Sequence, residues 1–183
     1  MQIHSAPMQS FKKSERLCLT RLKELLFEKG KVLTVYPFRV FYICTARESH
    51  PGHGSFKSKN FPLLQMQETV SADILPASWQ DILTDGFASI PFPAQVLVSV
   101  PKKKFKRAIH RNRLKRLVKE AYRKNKEGFY SLLNQRGLVC LVAFVYTGSQ
   151  ILPFHEVESK IVVILQKLGR VVSGTVIADA ETR

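Results

Sequence analysis

Acidic side chains and long apolar runs are both scarce in this sequence. Its 183 residues include 14 acidic and 29 basic ones, which gives a formal net charge of +15. No segment approaches the ~20 consecutive apolar residues of a membrane-spanning helix, and the N-terminal stretch MQIHSAPMQSFKKSER lacks the apolar core of a signal peptide. We therefore expect a cytoplasmic protein without a membrane segment. A positive charge of this size favours nucleic acid or an anionic membrane surface as the partner, and composition alone does not choose between them.

Cysteine is rare as well. Cys18, Cys44 and Cys140 are odd in number and far apart, and two of them lie in the apolar runs FYIC and LVCLVAFV. A free buried thiol behaves as a small hydrophobe, so we expect neither a disulfide nor a metal role for them.

Motifs for protein catalysis are also missing from the sequence. HPGHG has no lysine to make it a phosphate loop, and His50 and His53 lack the further ligands of a zinc site. No paired carboxylates share a helix face. The sequence predicts no catalytic residue and no metal site in this chain.

Hydrophobic residues make up 45% of the chain, enough for the core of one domain. The spacing of leucines predicts a first helix over 20–30, with Thr20 as N-cap and Gly30 as its stop. Alternation predicts strands over 38–45 and 95–100. The run 138–146 is apolar on both faces, as in the middle of a sheet. A last helix, FHEVESKIVVILQKLG, repeats apolar residues at helical spacing and is expected to end at Gly169.

Residues 46–94 differ from the rest of the chain. They contain five prolines and three glycines, with a weak helical pattern only near ASWQDILTDG. We interpret them as an insertion with partial structure inside a single domain formed by residues 1–183. Their slightly acidic charge excludes them from a predicted polyanion-binding surface.

Most of the net charge comes from one block. Residues 102–126 contain 13 basic residues and one acid, Glu120, whereas the remaining 158 residues carry 16 basic and 13 acidic ones. On a helical wheel the block separates into an apolar face, formed by Leu114, Leu117, Val118, Ala121 and Tyr122, and a cationic face that extends to Lys126.

Like charges recur four residues apart on this cationic face, for example at Arg111, Lys115 and Lys119. Such pairs destabilise a helix by a few tenths of a kcal/mol each, whereas a solvated structural helix usually pairs opposite charges at this spacing. The repulsion is relieved when a polyanion binds, so the block favours nucleic acid over a merely solvated surface.

The stretch VSVPKKKFKRAIHRNRLKRLVKEAYR resembles the signature of the protein component of bacterial ribonuclease P, in which an RNR core lies within a longer basic pattern. Lys119 stands where that family commonly has arginine. LFEKGK at 26–31 resembles the end of the family's first helix, and FRVFY at 38–42 resembles its first strand. The residues that match the signature are Lys102, Lys103, Ala108, Arg111, Asn112, Arg113, Lys115, Arg116, Glu120, Tyr122 and Arg123.

This resemblance implies an α+β fold, a two-layer α/β sandwich in the order helix, three strands, helix, strand, helix. It is similar to the second domain of a small-subunit ribosomal protein and has a left-handed βαβ crossover. Alternation in this sequence identifies only two of the first three strands, so the third is expected inside residues 60–94. The family usually joins its first two strands by a short hairpin, so the insertion after the first strand is a departure.

The resemblance also implies a function. In that family the RNA subunit cleaves precursor tRNA with Mg²⁺ that it binds itself, while the protein helps to bind substrate and metal. The expected partners are therefore the catalytic RNA and precursor tRNA, with no membrane or DNA partner. The residues expected to contact RNA are Lys102, Lys103, Lys104, Arg107, Arg111, Asn112, Arg113, Lys115, Arg116, Lys119 and Arg123.

The family binds the single-stranded 5′ leader of precursor tRNA in a cleft between its sheet and its first helix, and Phe27, Arg39 and Phe41 match that position. Strand alternation places Arg39 and Phe41 on the face opposite Phe38 and Val40, so Phe41 is free to face RNA. The alternative for both aromatic residues is ordinary core packing. Lys23, one turn before Phe27, replaces another family aromatic residue and would contact a phosphate instead.

Two other functions remain open from the sequence. One is a non-catalytic RNA-binding protein of the ribosome or the translation apparatus that uses the same basic helix. The other is a DNA-binding helix, which would need side chains that contact base edges and usually a dimer, and the chain has no heptad zipper.

Overall fold

The computed structural model describes residues 10–46, 90 and 92–174. The elements in chain order are α1 (Thr20–Lys29), β1 (Lys31–Val35), β2 (Phe38–Ala46), β3 (Ala94–Ser99), α2 (Ala108–Gln135), β4 (Leu138–Tyr146) and α3 (Phe154–Val172), preceded by a single 3₁₀ turn at Lys13–Glu15. The predicted order of helix, three strands, helix, strand, helix is confirmed. None of the helices in the described ranges is long and apolar enough to cross a membrane.

The four strands form one mixed sheet in the order β1-β2-β4-β3. β1 and β2 form an antiparallel hairpin, β2 is antiparallel to β4, and β3 is parallel to β4. β4 therefore lies between two partners, as its continuous apolar sequence predicts, and seven of its nine residues are buried. α2 connects the parallel strands β3 and β4, and the left-handed crossover implied by the resemblance stays a prediction.

Both faces of the sheet are covered, but unequally. α2 and α3 pack together on one face, where they meet Val40, Val142 and Phe144 in the larger core. This sheet and its two helices are the two layers of the predicted sandwich. α1 packs on the opposite face, where Leu22, Leu25 and Leu26 contact the alternate residues of β4 in a smaller core. Phe41 and Ile43 belong to this second face, so the predicted alternation of β2 is confirmed.

The helices follow the periodicity of their sequences. In α2 the predicted apolar residues Leu114, Val118, Ala121 and Tyr122 are fully buried, and Leu117 is half-buried. In α3 the buried residues include the predicted set Val157, Ile161, Ile164, Leu165 and Leu168. α3 continues past Gly169 to Val172, because this glycine adopts helical geometry and lies against Leu132 of α2.

The prediction for the third strand was wrong. The additional strand is β1, Lys31–Val35, which comes before Phe38 and not inside residues 60–94. FRVFY therefore lies in the second strand, and the short hairpin of the family is present between β1 and β2. The predicted insertion therefore follows the second strand and not the first, because it lies between Ala46 at the end of β2 and Ala94 at the start of β3. The sequence did not predict β1, because this strand has only five residues, most of them exposed, and lies at the edge of the sheet.

The prediction for the start of α1 was also wrong. Leu19 is the N-cap, no side chain caps the helix, and Thr20 is the first helical residue. The helix ends at Lys29, and Gly30 follows it as predicted. The partial structure predicted for residues 46–94, including the helical pattern in ASWQDILTDG, falls almost wholly outside the described residues.

The expectation of free buried thiols was wrong for two of the three cysteines. Cys44 and Cys140 are directly opposite each other in the β2–β4 register, with 4.2 Å between their Cα atoms, and they form a disulfide. Cys18 is free and exposed. The two cysteines are 96 positions apart in the sequence, and only the strand register brings them together, so the sequence did not reveal the contact.

Candidate nucleic-acid interface

The loop before α2 displays lysines on a fixed backbone. The carbonyl of Pro101 accepts hydrogen bonds from the backbone N–H groups of Lys104, at 3.1 Å, and Phe105, at 3.2 Å. The ring of Phe105 is buried beside Tyr146, with 6.0 Å between the ring centroids. Lys102, Lys103 and Lys104 are therefore exposed on a turn that the core holds in place.

Arg111 joins this loop to the first turn of α2. Its Nη1 donates to the carbonyls of Phe105, at 2.8 Å, and Lys106, at 2.7 Å. The sequence predicts Arg111 as an RNA contact, and the structure adds that it positions the loop. Its other guanidinium nitrogens are available for a phosphate, because arginine carries five N–H donors.

Together, the residues predicted to contact RNA form a cationic ridge that extends from the loop before α2 along α2 itself. We use this name for the set Lys102, Lys103, Lys104, Arg107, Arg111, Asn112, Arg113, Lys115, Arg116, Lys119 and Arg123. Arg107, Asn112, Arg113 and Arg116 are exposed, and Lys115, Lys119 and Arg123 are half-buried. The apolar face of the same helix is in the core, so the two faces separate as the wheel predicts.

Charges on the ridge act on one another. The pKa of Lys119 is lowered, mainly because the amine is partly desolvated and also because Arg16 and Lys115 are close to it. Arg123 is different, because it forms a two-pronged ion pair with Glu120, with contacts of 2.8 Å and 2.6 Å. The hydrogen bond from Arg123 is the main reason that the pKa of Glu120 is lowered.

Lys126 does not belong to the cationic face, contrary to the wheel. Its Nζ donates to Glu15 Oε2 at 2.5 Å and to the Ser10 carbonyl at 2.6 Å, and only 8% of the residue is exposed. The wheel failed here because it places Lys126 relative to its own helix only. The residues that cover Lys126 come from the N-terminal segment, more than 100 positions away in the sequence.

An aromatic cluster forms on the other face of the sheet, where the resemblance predicts it. The rings of Phe27 in α1 and Phe41 in β2 meet edge to face, with 5.0 Å between centroids. The guanidinium of Arg39 lies 5.5 Å from the centroid of Phe41. Phe27 is 43% exposed and Phe41 is half-buried beside the smaller core. Contact of either ring with RNA stays a prediction.

The structure also identifies residues that the sequence did not single out. Val32 is opposite Phe41 in the β1–β2 register and is 46% exposed, so it extends the apolar surface of the cluster. Ile109, 72% exposed, lines a shallow groove on the ridge with Asn112 and Arg113. An apolar residue between basic ones in the signature was the available signal for Ile109. Val32 could be found only after β1 was known.

The described residues contain no group of three or more histidine, cysteine or acidic side chains that could hold a metal ion. The ridge itself does not fit a divalent cation, because it is positively charged and its acid, Glu120, already pairs with Arg123.

Comparison with known proteins gives a consistent family. The sequence model of the family described as Ribonuclease P matches residues 11–169. The ribonuclease P protein component of Porphyromonas gingivalis W83 is 31% identical over 154 residues, covering 84% of this chain and 82% of that protein. The component from Chlorobium phaeobacteroides is 32% identical over 88 residues, covering 45% of this chain and 60% of that protein.

Among solved structures, the ribonuclease P protein of Staphylococcus aureus matches with a TM-score of 0.49 and 12% identity. The match covers 86% of this chain and 97% of the other.

Proposed function

The chain belongs to the ribonuclease P protein family, and from this premise we propose that it binds both the catalytic RNA and the 5′ leader of precursor tRNA. In this role it promotes Mg²⁺-dependent removal of the leader and so the maturation of the tRNA 5′ end. It acts in the cytoplasm, with no membrane or DNA partner. Ribonuclease P processes tRNA, and the chemistry is assigned to the RNA subunit, with no catalytic residue in this chain.

Mg²⁺ enters this proposal through the RNA. The cationic ridge repels a divalent ion, and its acid is engaged by Arg123. The RNA phosphates are the ligands that Mg²⁺ prefers. By neutralising some of those phosphates, the ridge lowers the concentration of Mg²⁺ that the folded RNA needs.

Two separate surfaces carry out the two binding tasks. The cationic ridge presents arginine forks and lysine charges, which bind phosphates largely without regard to sequence. The aromatic cluster offers a partly exposed ring beside an arginine, which suits unpaired nucleotides. The sheet separates the two surfaces, since α2 packs on one face and Phe27 and Phe41 lie on the other.

The observation that carries the leader assignment is the meeting of Phe27, Phe41 and Arg39. These residues come from two elements, and the fold brings them into contact at 5.0 Å and 5.5 Å. Phe27 is 43% exposed, and the Arg39 guanidinium lies over the neighbouring ring of Phe41. An accessible ring next to a positive charge suits an unpaired base.

Reconstitution tests the proposal. The purified protein is combined with a cognate ribonuclease P RNA, and cleavage of a precursor tRNA with a 5′ leader is measured at low and high Mg²⁺. We expect the protein to increase cleavage strongly at low Mg²⁺ and only slightly at high Mg²⁺. Equal cleavage with and without protein at low Mg²⁺ would contradict the proposal. In that case the alternative function, an RNA-binding protein of the ribosome or translation apparatus, would be the better hypothesis.

A further inference from the structure

The N-terminal segment Phe11–Leu17 passes around the β3 edge of the sheet and touches both of its faces. The ring of Phe11 packs edge to face on Tyr122 of α2, with 5.9 Å between centroids. Five residues later, Arg16 forms a parallel bridge with Val96 of β3, and the Leu17 N–H donates to the Val96 carbonyl at 3.0 Å. The Leu17 side chain is then buried in the smaller core, on the α1 face.

Glu15 holds this segment against α2. It is 1% exposed, and its Oε2 accepts hydrogen bonds from Lys126 Nζ at 2.5 Å and from the Tyr130 hydroxyl at 2.9 Å. Tyr122 in turn donates to the Tyr130 hydroxyl at 3.3 Å. A buried carboxylate with a cationic partner and a second donor has its charge compensated, so the segment is held in one position relative to α2.

This anchoring places Arg16 beside the cationic ridge. Arg16 is exposed, and its guanidinium lies 5.8 Å from the centroid of Phe11, whose ring contacts Tyr122 one turn from Lys119. Arg16 and Lys115 both lower the pKa of Lys119, after the larger effect of desolvation. Within the described ranges, Arg16, Lys115 and Lys119 form no ion pair with an acidic side chain.

We propose that Arg16, Lys115 and Lys119 together bind one phosphodiester group of RNA at the β3 edge of the sheet. The inference rests on the proposed function and extends it to a segment outside the signature. Three cations held together by two separate segments repel each other in the free protein, and an anion between them removes that repulsion. Arginine supplies a two-pronged contact, and the lysines add charge from the helix.

The bound phosphate could belong to either of two RNA molecules, the catalytic RNA or the precursor tRNA. The site lies where the chain passes from the ridge face to the face of the aromatic cluster, so both are within the proposed assembly. Two binding measurements separate them. One uses the protein and ribonuclease P RNA, and the other uses the reconstituted holoenzyme and a precursor tRNA with its leader.

Arg16→Ala is the test variant, and Arg170→Ala is its control. Arg170 is also an exposed arginine, but it lies on α3 next to Gly169, which packs against Leu132 near the far end of α2. Both variants lose the same charge. We expect Arg16→Ala to weaken one of the two equilibria roughly tenfold at moderate salt, as for a lost charge-assisted hydrogen bond. The slope of log K against log salt should fall by ~0.7 to 0.9 in that equilibrium.

A double-mutant cycle tests whether the phosphate is shared. If Arg16 and Lys119 hold the same group, Arg16→Ala combined with Lys119→Ala weakens binding by less than the product of the two single effects. The melting temperature of each free variant is measured as well. Arg16→Lys, which keeps the charge and loses the fork, should bind more tightly than Arg16→Ala, and a purely structural role would not produce this order in a protein of unchanged stability.

The outcomes are distinguishable. Unchanged affinity and salt slope for Arg16→Ala in both equilibria, with tight binding by the wild type, would overturn the phosphate site and leave the proposed function intact. If Arg16→Ala and Arg170→Ala lost the same amount of RNA affinity, Arg16 would contribute only to the overall positive charge, and the site would also be overturned. Failure of the wild type to bind ribonuclease P RNA would overturn the proposed function and this inference together.

Discussion

Phe27 and Phe41 touch each other but differ in how much of each ring is open to solvent. Phe27 is 43% exposed, whereas Phe41 packs against the smaller core. We expect Phe27→Ala to weaken holoenzyme binding of a leader-bearing precursor tRNA by ~1 to 3 kcal/mol, the range for one stacked base, with little change in protein stability. Phe41→Ala should weaken leader binding and also lower stability, because it removes packing as well.

The measurement compares precursor with mature tRNA, which lacks the leader. The control is Val171→Ala, which truncates an exposed apolar residue on a different helix, α3. If Phe27→Ala weakened the binding of both forms of tRNA equally, the ring would not contact the leader.

The buried pair Glu15–Lys126 supports a second prediction at the scale of residues. Lys126→Met leaves the carboxylate of Glu15 buried without its cation, so it should lower the free energy of unfolding by ~3 to 5 kcal/mol. The double variant Glu15→Gln with Lys126→Met removes both charges and should be clearly more stable than the single one. Urea unfolding monitored by circular dichroism gives these values. If the single variant were as stable as the double variant, the carboxylate of Glu15 would cost nothing when it loses Lys126, and the prediction would be wrong.

The arginines of α2 differ in whether they form an ion pair in the free protein. Arg123 is engaged by Glu120, whereas Arg116 is exposed and makes no ion pair with another described residue. Arg116→Ala should flatten the salt dependence of catalytic RNA binding by nearly ~1 in log K against log salt. Arg123→Ala should flatten it less, because Glu120 already offsets that charge in the free protein. Titration of labelled RNA at several salt concentrations measures both, and equal slopes would mean that the ion pair opens on binding.

The two glycines near the C-terminal half of α2 lead to opposite predictions. Gly128 is exposed within the helix, and a Cβ added there would meet no neighbouring atom within 4 Å, so Gly128→Ala should stabilise the protein by ~0.5 to 1 kcal/mol. Gly137 has φ of +61° in the turn from α2 to β4, so Gly137→Ala should destabilise by ~1 kcal/mol or more. Thermal unfolding of the two variants is a matched comparison. Stabilisation by both would show that the turn accepts a side chain.

For the whole molecule, we expect residues 47–89 to be replaceable, because of where the sheet places the two ends of this connection. Ala46 is opposite Leu138 and Ala94 is opposite Cys140, so the chain leaves β2 and enters β3 near the same end of β4, about two strand spacings or ~10 Å apart. A flexible linker of ~8 residues in place of 47–89, followed by the retained residues 90–93, spans this gap at ~3.3 Å per residue. We expect the shortened protein to fold and to bind the catalytic RNA with unchanged affinity and salt slope, because the segment is slightly acidic.

Gel-shift titration and a melting curve measure these two properties. A large loss of affinity in a shortened protein that melts normally would place RNA contacts within the replaced segment.

The sequence by itself determined the features that repeat at short range. The alternation of β2 separated Phe41 from Val40, the continuous apolar run of β4 placed it inside the sheet, and the wheel of α2 separated Leu114 and Val118 from the ridge. These patterns are visible because a strand or a helix imposes its own period on neighbouring residues. The signature motif identified the family for the same reason, since its residues are consecutive. The roles of the individual ridge and cluster residues in RNA binding stay predictions.

Only the tertiary structure decided which distant residues meet. Lys126 has the spacing of the cationic face, yet Glu15 buries it, and Cys44 meets Cys140 only through the register of β2 and β4. β1 is too short and too exposed to be identified without its partner strand. Arg16 lies close enough to Lys119 to help lower its pKa, because a segment more than 100 positions away wraps around the sheet edge. Such contacts depend on how whole elements pack together. The spacing of apolar and polar residues within one segment does not specify which distant segment it packs against.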